Sequence, residues 1–401
     1  MNLTGIITEY NPFHQGHEHH LSNAIKDTNS DGIVCIMSGN FMQRGTPGLL
    51  DKWSRAEIAV LNGVDLVIEL PLIYSISSAE GFAYGACKIL NSSSVINNLY
   101  FGSECGDINS LTKVSKTLTY EPEDFKNSLK SYLNEGLPFH LARSFALKDY
   151  LSHIEISEIL SKSNNILGIE YIKSLIKLDS SIVPRTIQRT GADYNDTKIS
   201  KSFSSATAIR KILLEKKNIE ALKNLVPKAT YDYLYNLQCN NYNFTFENDI
   251  FNYLRYKLII EGEKINNISD VSEGIDNKIL KEILNSKDIN ELILKVKSKR
   301  YTYTRISRIL LSFFIGLENY DLKSIINNFD DYIRPLAFNS RGREILKEMK
   351  SKSSIDIITK VPKKTQNKKL ELDILGTKAY SIINPSISPY EDYLKSPIYL
   401  K

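Results

Sequence analysis

The chain has 401 residues, 42% hydrophobic and 24% charged, the balance of a soluble globular protein long enough for two domains with cores of their own. No run has the apolar length of a membrane span, Met1-Asn2-Leu3-Thr4 opens into a strand rather than a signal peptide, and Cys35, Cys87, Cys105 and Cys239 show no paired spacing, so membrane and secreted classes are set aside and the cytoplasm is expected. The net charge of +5 is unevenly spread: residues 1–200 carry 17 Lys+Arg against 22 Asp+Glu and residues 201–401 carry 34 against 24, so a polyanionic partner such as nucleic acid is expected on the second half, a solvated lysine-rich surface being the ordinary alternative.

The first element is an apolar strand over residues 3–8, followed by Glu9-Tyr10-Asn11-Pro12-Phe13-His14-Gln15-Gly16-His17 and a helix over 17–26. Four of the six histidines, His14, His17, His19 and His20, fall within seven residues. A strand that feeds a helix N-terminus through a short loop aims free N–H groups and the positive helix end at an anion. The two imidazoles of His14-Gln15-Gly16-His17 add donors for phosphate oxygens, Gly16 permits close approach and Pro12 fixes the turn. A metal site or a purification remnant ranks lower, because a tag would be an unbroken histidine run and zinc would need a further ligand at local spacing.

Strands follow at 32–37, 66–70 and 98–101, separated by helices over 52–62 and 77–90. Trp53, Ala56 and Val60 share one side of the first helix, and Gly63 is placed to stop it. This alternation predicts an α/β fold with a Rossmann-like, doubly wound parallel sheet that binds ligands at the carboxyl ends of its strands. The loops there, residues 9–17, 38–45 and 102–104, are rich in glycine and polar groups. Each alone could be an ordinary turn. A further strand over 181–188 leads to Arg189-Thr190-Gly191-Ala192-Asp193-Tyr194. Ser204 or Ser205 can then cap a helix that places Thr207 and Arg210 one turn apart, either a plain capped helix or a second phosphate clamp.

The remainder reads as mainly helical, with helices over 215–225, 249–261 and 277–284 and a small strand or two within 372–383. We expect residues 1–215 to form one domain that carries both phosphate-binding turns and residues 216–401 a basic, helical domain. From Lys297 to Arg308 the chain carries five basic residues, no acid and two tyrosines. Lys297, Lys299, Arg300, Tyr301, Arg305 and Arg308 are candidate RNA contacts, through phosphates and base stacking; a basic helix start is the equal alternative. Five lysines within 360–369 add to the basic surface or form a solvated loop.

The His-x-Gly-His turn after the first strand, joined to the late Ser-Ser-x-Thr-x-Ile-Arg helix start, resembles the nucleotidyltransferase superfamily. Longer stretches, such as Gly5 through His17, Ser38-Gly39-Asn40-Phe41-Met42-Gln43-Arg44-Gly45, Asp51-Lys52-Trp53-Ser54-Arg55 and Ile187-Gln188-Arg189-Thr190-Gly191-Ala192, are similar to the bacterial tRNA(Met) cytidine acetate ligases. That resemblance covers most of the chain. It implies activation of acetate by ATP to acetyl-adenylate with release of pyrophosphate, then acetyl transfer to N4 of the wobble cytidine of elongator tRNA(Met), with Mg²⁺ accompanying ATP and no protein partner indicated. It implies catalytic roles for His14, His17, Arg189 and Arg210. ATP contacts would come from Ile7, Thr8, Glu9, Tyr10, Asn11, Pro12, Phe13, His14, Gly16, His17, His20, Gly102, Asn165, Arg189, Ser205, Thr207 and Arg210. Gln43, Arg44, Asp51, Lys52 and Arg55 would lie near the acyl or cytidine side. A cofactor-type adenylyltransferase and a non-catalytic tRNA-binding protein on the same fold are the alternatives.

Overall fold

In the computed structural model, which describes residues 1–152, 154–189, 204–328 and 330–401, the apolar runs of the first half become the middle of a sheet. β1 (Leu3–Thr8), β2 (Gly32–Ser38), β3 (Leu66–Leu70), β4 (Asn98–Ser103) and β5 (Val183–Gln188) lie parallel in the order β5-β4-β1-β2-β3. β2 and β3 are buried along their whole length, which fits strands covered on both faces. The order reverses between β1 and β4, and a doubly wound sheet opens a crevice at the carboxyl ends of its strands at that point.

Alternation along β2 divides the core into two layers. Ile33, Cys35 and Met37 pack on α1 (Gln15–Thr28) and α2 (Lys52–Leu61) through Leu21, Ala24, Trp53 and Ala56. Val34 and Ile36 point the other way, into the layer that holds Phe82 and Ala86 of α3 (Ala79–Ser92) and Ile169 and Ile172 of α4 (Ser163–Lys177), as a strand's two-residue period requires. α5 (Ala206–Lys216) joins the first layer with Ile209 and Leu213. A Cβ on Gly168 would come within 2.6 Å of the Phe101 ring; glycine there lets α4 lie close against β4, and both elements reach the crevice.

The second half returns to the same sheet. β6 (Tyr332–Ile333) pairs with β8 (Asp356–Ile357) as a small ribbon, whereas β7 (Pro335–Phe338) lies antiparallel beside β3, and β9 (Ile398–Tyr399) parallel beside β7. The seven-stranded sheet therefore crosses the boundary expected near residue 215. Helices Phe251–Glu261, Ile275–Ile283 and Ile289–Val296, with α6 (Tyr303–Ile315) and α7 (Lys368–Ile383), make up much of the rest. Ile306, Ile309 and Phe313 of α6 extend the Val34 layer.

Two expected elements take other forms. Residues 372–383 lie in α7, not in strands: Leu370, Leu372, Asp373, Ile374, Thr377 and Tyr380 are buried on several sides of the helix, so no one-sided stripe marks its period. The helix expected over 215–225 breaks at Lys217, left-handed with φ 51°, and only the short 3-10 turn Ile219–Leu222 follows.

Where α2 and β3 meet the second half, four charged side chains are buried together, each at most 3% exposed. Lys52 Nζ lies 2.7 Å from both Glu69 Oε1 and Asp392 Oδ1. Arg334 reaches Glu69 Oε2 at 3.1 Å and Asp392 Oδ1 at 2.7 Å. Two cations thus face two carboxylates, as buried charge requires. Asp373, which accepts from the Tyr332 hydroxyl and the Leu72 N–H, sits beside them; burial and then the Glu69 charge push its carboxyl up to about 7.

Candidate active site

The crevice at the carboxyl ends of β1, β4 and β5 is a cavity of about 470 Å³. Three helices begin on it. His14 caps α1, Ser163 and Asn164 open α4, and Ser205 caps α5 by accepting from the Ala208 N–H at 3.1 Å. Helix N-termini bring their positive dipole ends to this space, that of α4 being offset by the Glu104 carboxylate, which takes its first N–H groups.

The tetrad His14-Gln15-Gly16-His17 works as a cap made of imidazoles. The Gly16 N–H donates to His14 Nδ1 at 3.1 Å and the His14 N–H donates to His17 Nδ1 at 3.3 Å. An Nδ1 that accepts from the backbone leaves the proton of a neutral ring on Nε2. The two rings stack at 3.7 Å between centroids and both line the cavity, so each offers an Nε2–H donor. Burial, and then the nearby Arg189 guanidinium, hold His14 down at about 3 and His20 at about 4. Burial and the stacked His14 hold His17 well below the ordinary imidazole value. At neutral pH all three are uncharged donors beside one arginine.

Arg189 follows β5, where its N–H donates to the Ser103 carbonyl at 2.8 Å, and its side chain runs over Gly102. Arg210 does not line the cavity: its Nη1 donates to the Asn11 carbonyl at 2.9 Å and its Nη2 pairs with Glu247 at 3.4 Å. It fixes the turn ahead of the tetrad, in which Tyr10 is left-handed with φ 45°. Ile7, Thr8, Glu9, Tyr10, Asn11, Gly16, His17, His20, Gly102 and Ser205 line the space; Pro12, Phe13, Asn165 and Thr207 do not. Asn165 lies behind the wall, its Oδ1 accepting from the N–H groups of Glu104 and Cys105 at 2.9 and 3.1 Å. Glu104 in turn accepts from the Asn164 and Asn165 N–H groups and so caps α4 from β4. The expectations at 190–194 fall outside the described residues.

Of the five residues expected near the acyl or cytidine side, Gln43 and Arg44 line the cavity. The other three hold up the wall. Asp51 caps α2 through the Trp53 and Ser54 N–H groups, and Lys52 is consumed in the buried charge cluster. Arg55 donates to the carbonyls of Glu9, Ser38, Gly39 and Leu50, joining the ends of β1 and β2. Sequence reasoning gave no role to an apolar wall of Phe82, Phe101, Ile166, Leu167 and Tyr171, although the stretch from Asn164 to Tyr171 shares in the resemblance; apolar side chains such as these resemble core. It missed Thr304 as well, on the first turn of α6.

The basic run enters the site through α6. Thr302 caps α6, Thr304 lines the cavity, and the Ser307 hydroxyl donates to the Gly45 carbonyl at 2.8 Å. Lys297, Lys299 and Arg300 are exposed, Arg300 pairing with Glu273 at 2.9 Å. Tyr301 is not open for base stacking, because its ring is buried, its hydroxyl is bonded to Ser272, and Arg305 covers it at 4.7 Å. Arg308 pairs with Asp270 at 3.7 Å. Among the described residues no group of three His, Cys, Asp or Glu is placed to hold a metal, no helix is long and apolar enough to cross a membrane, and all four cysteines are free.

A family model, HIGH Nucleotidyl Transferase, matches residues 1–393. A tRNA(Met) cytidine acetate ligase of Clostridium novyi is 54% identical over 100% of both chains, and one of Clostridium botulinum (strain Langeland) is 50% identical over 100% of this chain and 99% of its own. Among solved structures, apo Thermotoga maritima TmcAL superposes with a TM-score of 0.90 at 33% identity, and the same protein bound with alpha-thio ATP with 0.89 at 32%, each over 100% of both chains.

Proposed function

The chain belongs to the HIGH nucleotidyl transferase family, and on that premise we propose that it is an ATP-dependent tRNA(Met) cytidine acetate ligase acting in the cytoplasm. The observation that carries the reading is the pair of stacked, neutral histidines with fixed Nε2–H donors, facing Arg189 where three helices begin. Such a site binds a polyphosphate and stabilises the charge that grows on it when a nucleophile attacks. ATP fits the donor set. An acetate oxygen attacks the α-phosphorus, the bond to the β-phosphate oxygen breaks, and pyrophosphate leaves with the electron pair; His14, His17 and Arg189 donate to the phosphate oxygens as this happens. Arg210 acts through the Asn11 carbonyl, holding the turn that aims the histidines. Mg²⁺, when present, would travel with the phosphates rather than in a protein cage.

Acetate contributes little binding energy, so its placement against phosphorus does much of the work. The mixed anhydride has to be kept from water until the cytidine amine arrives. In this reading residues 1–215 supply the adenylation site, and residues 216–401 bring elongator tRNA(Met) along Lys297, Lys299 and Arg300 to Thr304 at the cavity wall. The test is acetate-dependent exchange of pyrophosphate into ATP, followed by incubation with ATP, acetate and tRNA and mass analysis of the nucleosides. Acetylated cytidine and released AMP are expected. An absence of acetate-dependent exchange overturns the reading.

A further inference from the structure

Glu9 is a carboxylate in a place that phosphate binding does not explain. It follows β1 directly, lines the cavity and is only partly exposed. One oxygen accepts the Gln43 N–H at 2.7 Å. Among the described residues the other oxygen has no hydrogen bond and the carboxylate has no ion-pair partner within 4 Å. An unpaired carboxylate is costly at the wall of a nucleotide site, since it repels phosphate and loses hydration.

The charges that act on it differ from those that act on the histidines. Arg189 acts on His14, His17 and His20, whereas the cations acting on Glu9 are Arg44 from the turn after β2, Arg210 from α5 and Arg55 from α2, with Tyr171 of α4 also within electrostatic reach. The turn that holds Glu9 through Gln43 is held at its far end by α6, where Ser307 donates to Gly45. Glu9 is therefore tied, through residues 43–45, to the helix that begins in the basic run.

Resting on the ligase reading above, we propose that Glu9 is the general base of the second half-reaction, taking the proton from the cytidine N4 amine. The N4 lone pair attacks the acetyl carbonyl carbon, the bond from that carbon to the AMP phosphate oxygen breaks with its electrons leaving on AMP, and the N4 proton passes to the free Glu9 oxygen. The products are N4-acetylcytidine and AMP. Burial raises the Glu9 carboxyl above its ordinary range, against the lowering influence of Gln43 N–H and the arginines, which brings its basicity nearer to the working pH.

The experiment compares wild type, Glu9→Gln and Glu9→Asp in two assays: acetate-dependent pyrophosphate exchange, with hydroxylamine trapping of the adenylate as acetohydroxamate, and single-turnover acetyl transfer to tRNA across pH. General-base loss predicts that Glu9→Gln slows transfer by about 10²–10⁴-fold while exchange and hydroxamate fall far less, that Glu9→Asp recovers part of the transfer, and that the wild-type transfer rate falls with decreasing pH along a limb that Glu9→Gln lacks. Equal losses in both assays, unimpaired transfer in Glu9→Gln, or a wild-type rate without that limb overturns the role of Glu9 alone. Wild type without acetate-dependent exchange overturns the ligase reading and this inference together.

Discussion

Replacing Lys52 with methionine separates a structural lysine from one that meets substrate. Lys52 is 1% exposed and lies 2.7 Å from both Glu69 and Asp392. Methionine fills a similar volume but leaves Arg334 alone against two carboxylates. Removing one partner from a buried ion pair costs about 3–5 kcal/mol. At about 2–4 °C per kcal/mol for domains of 150–250 residues, the melting temperature should drop by about 6–20 °C, toward the lower end for a longer chain. The double variant Lys52→Met/Asp392→Asn restores one cation to one carboxylate, so its loss should be smaller than the sum of the single losses by about 0.5–3 kcal/mol. Thermal and denaturant unfolding of the four proteins measures both terms, with pyrophosphate exchange normalised to folded protein at 20 °C. An unchanged melting temperature with exchange abolished would refute the structural assignment and return Lys52 to the chemistry.

Three further outcomes follow from the geometry. ATP affinity should show no histidine titration between pH 6 and 8, because imidazoles held near 3 to 4 stay neutral throughout that range; calorimetry in buffers of different ionisation heat, corrected for the ionisation of ATP itself, checks this, and proton exchange in that range that His17→Ala removes would sink the idea. Asp373 has a folded pKa raised to about 7, so the unfolded chain ionises first and stability is lost as pH rises from about 4 to 7; Asp373→Asn should remove that slope, read from melts at pH 5 and pH 8. In Gly102→Ala the new Cβ would sit 3.0 Å from Arg189 Cγ, so that exposed side chain has to give by a few tenths of an ångström; the KM for ATP should rise while the melting temperature changes little, and an unaltered KM would place the nucleotide elsewhere.

The β1-to-α1 turn was legible because its chemistry is local: His14 and His17 bond to backbone within three residues, and the motif is its own cap. Strands β1 to β4 showed as apolar runs, and Gly63, at φ 102°, ended α2 where a glycine stop was expected. What the chain hid is long-range. Leu336 and Ala337 form β7 only because β3 leaves an edge to be paired, and the apolar wall of Phe82 and Tyr171 looks like any buried stripe until the crevice is closed. Lys52 and Arg55 resembled site residues by position in a motif, and their roles became visible only once Asp392 and the carbonyls of Glu9 and Ser38 were brought to them. Tyr301 read as a stacking platform because local sequence shows aromatic and basic character but not the Ser272 and Arg305 that enclose it.

The pairing of β3 with β7 also sets a schedule for synthesis. Residue 335 emerges 265 residues after residue 70, roughly 13–53 s later at 5–20 residues per second. Through that interval β3 has an open edge, the kind of template on which nascent chains aggregate. The buried charges are already suited to the wait: Lys52 and Glu69 form a neutral pair within the first segment made, and Arg334 and Asp392 form another within the last. Each half thus brings one cation and one carboxylate of this four-charge cluster to the docking step, so neither brings an unbalanced part of it.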